Sequence, residues 1–360
     1  MVMEAQPAGR KSRIGPFHGS ADALALAELA GKVRPLLVIT ANAAAAQRLL
    51  DEIPYFAPAL KVHLLPDWET LPYDSFSPHH DLVSERLATL YQITQQAFDV
   101  AIVPVTTALY RLAPVEYLAA RTFFFKQGEK LAGEVLRKQL TIAGYTHVGQ
   151  VLSPGEYSFR GGIIDLFPMG SALPYRIDLF DDEIESIRSF DVDTQRSIYK
   201  VNEVRLLPAR EFPLDEDGQT RFRRNFRARF EGDPSRSRVY KDVSNGIASA
   251  GVEYYLPLFY EHTALLTDYL PPATAVVLHS GVQPAIEQFW QHTQARYELL
   301  GGDKSQPLLT PRELFLTTDA FFGAVKPFSR IEIVEQADAA EPPQELATTA
   351  LPPVAVRSEE

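Results

Sequence analysis

Continuous apolar runs alternate with amphipathic stretches in the first third of the chain. Residues 36–39 and 100–105 are apolar runs of the kind that form buried parallel strands. Between them, residues 43–53 and 82–95 repeat apolar positions at helical spacing. Strands that alternate with helices predict a parallel sheet with helices on both faces, over residues 17–120.

The pattern then changes to short β segments with tight turns. Residues 129–143 are predicted to form one amphipathic helix, which Gly144 would end. Two hairpins follow, with turns at residues 161–162 and 181–183. One helix with a small antiparallel sheet predicts an α+β domain over residues 121–208.

The alternating pattern returns from residue 209 onward. Residues 274–280 and 330–335 are predicted strands, and residues 282–299 form an amphipathic helix between them. The simplest topology is one α/β domain in two segments, with the α+β domain inserted between the segments.

These changes of pattern divide the chain into five parts. The tail is rich in Ala, Pro, Glu and Thr, which is typical of an interdomain linker and indicates a fragment of a longer protein. The parts are a flexible N-terminus (1–16), the first α/β segment (17–120), the inserted α+β domain (121–208), the second α/β segment (209–336) and the linker (337–360).

Composition narrows the class of protein. The 360 residues, 46% hydrophobic and 22% charged, describe a globular protein with several domains. No apolar run reaches the roughly 20 residues of a membrane helix, and the N-terminus lacks a signal peptide, so a cytoplasmic location without a membrane partner is expected. The absence of cysteine excludes disulfides, thiol catalysis and Cys-ligated zinc. A net charge of −11 argues against a whole surface built for nucleic acid, although a local basic patch remains open.

One loop is a candidate phosphate-binding site. Gly19 precedes a predicted helix, but Asp22 and Ala23 stand where a phosphate loop needs Lys and Ser or Thr. A carboxylate there repels phosphate, and alanine cannot coordinate magnesium. The loop is therefore predicted to be degenerate, with no nucleotide cofactor. Ser20 is predicted to cap the helix, and Gly31 to end it.

Two clusters of titratable residues have simpler local explanations. His79 and His80 are adjacent and lack the spacing of a chelating pair, so we predict a loop in which Asp81 caps the next helix. The acidic residues 181–183 fit a hairpin turn. No metal ligand and no catalytic residue are predicted.

An arginine-rich segment follows residue 220. Phenylalanines recur there at a spacing of four, and on a helix they share one face: Phe222, Phe226 and Phe230. Weak DNA contacts are one interpretation, and the candidate residues are Arg223, Arg224 and Arg227. An amphipathic helix whose arginines are merely solvated is the favoured alternative.

The second hairpin carries an aromatic residue among exposed charges. The side-chain period of two sends Ile177 and Leu179 to the core and places Arg176 and Phe180 on the outer face. Arg160 is expected to reach that face from the preceding hairpin. Two arginines and an aromatic ring resemble a protein–protein hot spot, whereas a surface Phe half-covered by a neighbouring strand is equally compatible. Alanine at Arg176 or Phe180 is expected to leave fold stability nearly unchanged.

Several strings resemble the bacterial transcription-repair coupling factor family, Mfd. The longest, at residues 65–79, reads LPDWETLPYDSFSPH. The similarity covers nearly all of residues 17–335 and extends more distantly to UvrB. Further matching strings are GEY at 155–157, DLFPMGS at 165–171, LPYR at 173–176 and FDDEI at 180–184.

The resemblance implies a degenerate P-loop, helicase-like α/β domain in two segments with an inserted UvrA-binding domain. By motif, the family's UvrA contacts fall on Arg160, Arg176 and Phe180. The Walker lysine is missing, and the stretch after Trp68 is too short for the damage-probing hairpin of UvrB. Both departures are typical of the coupling factors and put ATP hydrolysis and lesion verification in doubt.

The resemblance further implies a non-catalytic module that recruits UvrA in transcription-coupled nucleotide excision repair. RNA polymerase and DNA would be bound, and ATP with magnesium used, by domains beyond residue 360. Two other functions remain open. A UvrB-like nucleotide-driven helicase core is disfavoured by Asp22, and a direct DNA-binding module is disfavoured by the acidic balance.

Overall fold

A computed structural model describes residues 7–303, 305–335, 343–344 and 348–349. The strands in chain order are β1 (Lys11–Ile14), β2 (Leu36–Thr40), β3 (Val62–Leu64), β4 (Val100–Pro104), β5 (Phe123–Lys126), β6 (Thr146–His147), β7 (Glu156–Arg160), β8 (Ile163–Leu166), β9 (Tyr175–Phe180), β10 (Glu183–Phe190), β11 (Ser197–Val201), β12 (Glu203–Leu206), β13 (Ala275–Leu278) and β14 (Ser329–Ile333).

The helices are α1 (Ala21–Ala30), α2 (Ala43–Phe56), α3 (His80–Thr94), α4 (Val105–Ala108), α5 (Val115–Ala120), α6 (Gly133–Ile142), α7 (Glu216–Arg229), α8 (Arg238–Ser244), α9 (Val282–Leu300), α10 (Pro311–Leu314) and α11 (Thr318–Val325). Short 3-10 helices lie at Pro234–Arg236, Val252–Phe259 and Leu266–Tyr269. Among the described residues, no helix is both long and apolar enough to span a bilayer.

Six parallel strands form the first sheet, in the order β1-β14-β13-β2-β4-β3. β2, β4 and β13 are buried along their whole length because helices cover both faces. Leu36 and Val38 belong to the apolar cluster that contains residues of α1 and α2, whereas Leu37 and Ile39 belong to the other cluster, which contains residues of α9. The predicted parallel sheet is confirmed, and its strands come from both sides of the antiparallel sheet along the chain.

The edges of this sheet differ from the prediction. β1 lies inside the segment predicted to be flexible, yet it pairs in register with β14. β3 was not predicted and forms the opposite edge beside β4. Strands of four and three residues carry too few alternating positions to stand out in the sequence. The predicted linker lies outside the described residues apart from 343–344 and 348–349, where Gln344 forms a parallel bridge with Ile14.

The second sheet has the order β11-β10-β9-β8-β7-β6 and is antiparallel except for the β6–β7 pair. Both predicted hairpins are present, since Arg160 pairs with Ile163 and Phe180 with Glu183. Gly161 adopts φ +62°, and a Cβ on Gly162 would lie 2.9 Å from the carbonyl oxygen of Leu179. This turn therefore requires glycine at both positions.

A buried ion pair joins α3 to the chain that follows β12. Arg86 of α3 donates from Nε to Oε1 of Glu211 at 2.7 Å, and Trp68 Nε1 donates to the same oxygen at 3.2 Å. Both charged side chains are nearly inaccessible to solvent. One apolar core is continuous beneath both sheets. The antiparallel sheet therefore shares a packed core with the parallel sheet.

Candidate protein-binding face of the antiparallel sheet

One face of the antiparallel sheet packs on the core, and the opposite face, here called the outer face, carries charged residues. Ile164, Ile177 and Ile187 are fully buried on the core side. Cross-strand partners share a face, so the register of β7, β8 and β9 defines the other side. The outer face in these strands comprises Ser158, Arg160, Ile163, Asp165, Arg176, Asp178 and Phe180.

Asp165 is the centre of this face. Its carboxylate is only 1% exposed and accepts hydrogen bonds from two arginines. Arg176 donates from Nε to Oδ1 at 2.7 Å and from Nη2 to Oδ2 at 2.9 Å, and Arg160 donates from Nη2 to Oδ2 at 2.7 Å. Sequence reasoning missed Asp165. Its position two residues after Ile163, on the alternating strand β8, was the available signal.

Several contacts fix the guanidinium group of Arg176 besides its hydrogen bonds to Asp165. Its Nη1 donates to the carbonyl oxygen of Gln195 at 3.2 Å, and its guanidinium carbon lies 4.9 Å from the centroid of the Phe190 ring. The hydrogen bonds to Asp165 raise the pKa of Arg176 above its usual value, against an opposing effect of burial. Because the side chain is 20% exposed, it presents an oriented cation rather than a mobile one.

Arg160 and Phe180 supply the exposed part of the face. Arg160 uses Nη2 for Asp165 and is 55% exposed, so its remaining donors face solvent. Phe180 ends β9 and is 70% exposed, and Ile163 on the neighbouring strand is also exposed. Oriented guanidinium groups beside an exposed ring can bind a carboxylate and shield it from water.

The burial of Arg176 corrects one expectation. Alanine at Arg176 was predicted to leave stability nearly unchanged, as on a fully exposed face. The side chain instead neutralises a buried carboxylate, so its removal leaves Asp165 with Arg160 alone. The premise of a fully exposed side chain is wrong for Arg176, which is 20% exposed, so a loss of stability is now expected there. For the exposed Phe180, the original prediction stands.

Comparisons with known proteins match the region that contains this sheet. Residues 123–212 match the family described as the UvrB interaction domain, and this range contains the whole antiparallel sheet. The chain is 43% identical over 328 residues to the transcription-repair-coupling factor of Escherichia coli K12, covering 91% of this chain and 28% of the relative. The chain is homologous to transcription-repair-coupling factors.

Two further relatives support the homology. The transcription-repair-coupling factor of Haemophilus influenzae is 40% identical over 355 residues, covering 96% of this chain and 30% of the relative. The transcription-repair-coupling factor of Bacillus subtilis 168 is 29% identical over 284 residues, covering 75% of this chain and 24% of the relative. The chain therefore spans less than a third of the length of these curated coupling factors.

In the loop that resembled a phosphate site, Asp22 is hydrogen-bonded to side chains of the same chain. Gly19 adopts φ +60°, and the α1 helix begins as predicted, but Ser20 makes no side-chain cap and Gly31 stays right-handed. Asp22 is buried and accepts hydrogen bonds from Arg48 Nη1 at 3.0 Å and His279 Nε2 at 2.8 Å. Burial raises the pKa of Asp22, but the hydrogen bonds from His279 and Arg48 outweigh it and lower the pKa.

Ala23 follows as the second residue of the degenerate loop and is fully buried. Its backbone N–H donates to Oδ1 of Asp22 at 2.8 Å. In a phosphate loop, backbone amides at the start of the helix bind the phosphate group. Here the amide of Ala23 binds the carboxylate of Asp22 instead.

The arginine-rich segment forms α7 largely as its amphipathic pattern predicted. Phe222 and Phe226 are buried, and their ring centroids lie 5.7 Å apart. The arginines have partners within the chain: Arg224 pairs with Glu261 at 2.5 Å, Arg223 donates to Thr220 Oγ1 at 2.9 Å, and Arg227 lies over the Tyr240 ring. These contacts favour a structural helix, and DNA contact by its arginines stays a prediction.

The histidine pair predicted to form a loop lies at the start of α3. In the part of the chain that the structure describes, no group of three His, Asp or Glu side chains could hold a metal ion. The cap of α3 is His79, whose Nδ1 accepts from the N–H of Asp81 at 3.3 Å, and not Asp81 as predicted. His79 precedes the helix, whereas Asp81 already lies in its first turn.

Proposed function

We propose that this chain recruits UvrA to transcription-coupled nucleotide excision repair through the outer face of its antiparallel sheet. The observation that carries the proposal is the buried Asp165, which orients Arg160 and Arg176 beside the exposed Phe180. Its position within the region that matches the UvrB interaction domain supports the assignment.

The chemistry of the face specifies the kind of contact. Arg160 keeps solvent-facing donors after pairing with Asp165, and arginine binds carboxylates with two parallel hydrogen bonds. The ring of Phe180 would be buried against UvrA and would exclude water from those bonds. A carboxylate-bearing patch on UvrA is the complementary surface.

The experiment that tests this proposal is direct binding of purified UvrA to the immobilised chain by surface plasmon resonance. We expect saturable binding that weakens with salt, because arginine–carboxylate contacts are screened. Absence of binding at micromolar UvrA would overturn the proposal, provided that circular dichroism shows the immobilised chain to be folded.

The parallel sheet domain is proposed to be a degenerate helicase-like scaffold that binds no nucleotide and has no catalytic activity. Asp22 supports this, because its carboxylate already pairs with Arg48 and is hydrogen-bonded to His279 beside α1. A further negative charge would be repelled there.

We therefore expect no heat of binding when the chain is titrated with ATP and magnesium in a calorimeter. The matched control is UvrB, which the resemblance implies to be a nucleotide-driven relative. A dissociation constant in the micromolar range for this chain would contradict the prediction and favour a helicase core.

DNA binding by this chain is expected to be weak and electrostatic. The arginines of α7 are the available cations, and Arg224 is already paired with Glu261. Replacing Arg223, Arg224 and Arg227 together by alanine should reduce both the affinity and its dependence on salt, measured by fluorescence anisotropy. Tight, salt-insensitive or lesion-selective binding would be incompatible with this prediction.

For the whole protein, we propose RNA polymerase binding and ATP-driven DNA translocation in regions that this chain does not contain. The support is its homology to coupling factors of which it spans less than a third. A cytoplasmic location is proposed on the same ground.

A further inference from the structure

A row of side chains crosses five strands of the outer face in register. Each member is the direct cross-strand partner of the next, from β7 to β11. The row consists of Ser158, Asp165, Arg176, Arg188 and Lys200. It therefore places three cations side by side and opposes them with one carboxylate, which belongs to Asp165.

Internal pairing weakens along the row. Arg176 forms two hydrogen bonds with the buried Asp165, whereas Arg188 forms a longer and more exposed ion pair, in which its Nη1 lies 3.5 Å from Asp178 Oδ2. Asp178 is also engaged by the hydroxyl of Ser186 at 2.6 Å. Lys200 is exposed and forms no ion pair with any described residue.

Such a row opposes folding. Like charges that face each other directly across strands destabilise a sheet, and here Arg188 lies between Arg176 and Lys200. The adjacent row, Arg160, Ile163, Asp178 and Ser186, adds one cation and one carboxylate. The two rows together hold four cations and two carboxylates on a chain whose net charge is −11. Fold stability does not account for this surplus of positive charge.

We infer that Arg188 and Lys200 extend the binding face from Phe180 across β10 and β11, where they contact an acidic patch on the partner. This inference rests on the proposed function and names a part of the surface that sequence reasoning did not include. Neighbouring strands lie about 4.8 Å apart, so the row from Arg176 to Lys200 spans roughly 10 Å. One elongated acidic surface can neutralise all three cations at once.

The test measures UvrA affinity of the full chain by surface plasmon resonance at about 0.1 M and about 0.5 M salt. Arg188→Gln is expected to weaken binding about 10-fold at low salt, and Lys200→Gln a few-fold, with both losses shrinking at high salt. Melting temperatures should stay unchanged or rise, because each substitution relieves repulsion within the row, and the ion pair that Arg188 loses with Asp178 is long and partly exposed.

Arg238→Gln provides the matched control. It also removes one arginine and one ion pair of similar length, the 3.4 Å contact with Asp242, but from the more exposed Arg238 on α8 instead of from the outer face. It should change UvrA affinity less than two-fold. A loss equal to that of Arg188→Gln would show an effect of net charge alone and overturn the inference.

The remaining outcomes separate this inference from the proposed function. If Phe180→Ala abolishes binding while Arg188→Gln and Lys200→Gln bind as the unchanged chain, the extension is wrong and the proposed function stands. If none of these variants alters binding, both fail. If Arg188→Gln lowers the melting temperature together with the affinity, Arg188 has a structural role and the inference is overturned.

Discussion

Replacing Phe180 by alanine is expected to weaken UvrA binding by about 2 kcal/mol or more, which is roughly 30-fold. The ring is 70% exposed and lies on the face that carries Arg160 and Arg176, so its burial by a partner would remove apolar area from water and shield the neighbouring ion pairs. The free energy of unfolding should change by less than about 0.5 kcal/mol, because the ring contributes little to the core.

Tyr55→Ala is the matched control, since this ring is 80% exposed and lies on α2, outside the antiparallel sheet. Surface plasmon resonance and thermal melts of both variants give affinity and stability side by side. Unchanged affinity for Phe180→Ala would eliminate the outer face as the UvrA site. Equal losses for both variants would point to a nonspecific effect of removing exposed aromatic rings.

Arg176 is a less selective probe of the same site. Its alanine variant should lose affinity and stability together, because Asp165 keeps only Arg160 as a partner. Charge reversal at Arg176 should reduce affinity further, since it sets a carboxylate against both Asp165 and the acidic partner surface. The difference between Phe180 and Arg176 follows from their burial.

Removing the carboxylate of Glu211 is expected to lower the free energy of unfolding by about 3 to 5 kcal/mol. Glu211→Ala would leave Arg86 buried without its counter-ion and would leave the indole N–H of Trp68 without an acceptor. The guanidinium also lies 5.0 Å from the Trp68 ring centroid, so its displacement would disturb the packing of that ring. Urea denaturation measures the loss.

The double variant Arg86→Met with Glu211→Leu is the informative control. It removes both charges at once, so it should recover a large part of the stability that Glu211→Ala loses. A single variant that costs less than about 1 kcal/mol would mean that the pair is not buried as described. UvrA affinity of the folded double variant should be unchanged, because neither residue belongs to the outer face and both are buried.

The architecture of this protein was largely predictable from periodicity. Continuous apolar runs predicted the buried parallel strands β2, β4 and β13, since strands covered on both faces need apolar side chains at every position. Alternation along β9 predicted that Ile177 is buried and that Phe180 is exposed. Glycine and acidic residues marked both hairpin turns. These features depend on neighbours within a few residues.

Contacts between distant segments could not be predicted in this way. The pairing of Asp165 with two arginines depends on the register of three strands, and the role of Asp22 depends on His279, 257 positions away. β1 forms a strand because its backbone pairs with the edge of β14. Ser20 makes no cap at the start of α1, although serine is a favoured capping residue.

On β9, the sequence by itself determined which side chains share a face, because the period of a regular strand is a local property of the backbone. Only the tertiary structure decided which of those side chains are neutralised, buried or left free. Arg176 and Arg188 are direct cross-strand partners, yet Arg176 is bound to the buried Asp165, whereas Arg188 forms only a longer ion pair with Asp178 and is more exposed. The carboxylates available to each arginine are fixed by neighbouring strands, and strand order and register emerge only when the chain folds.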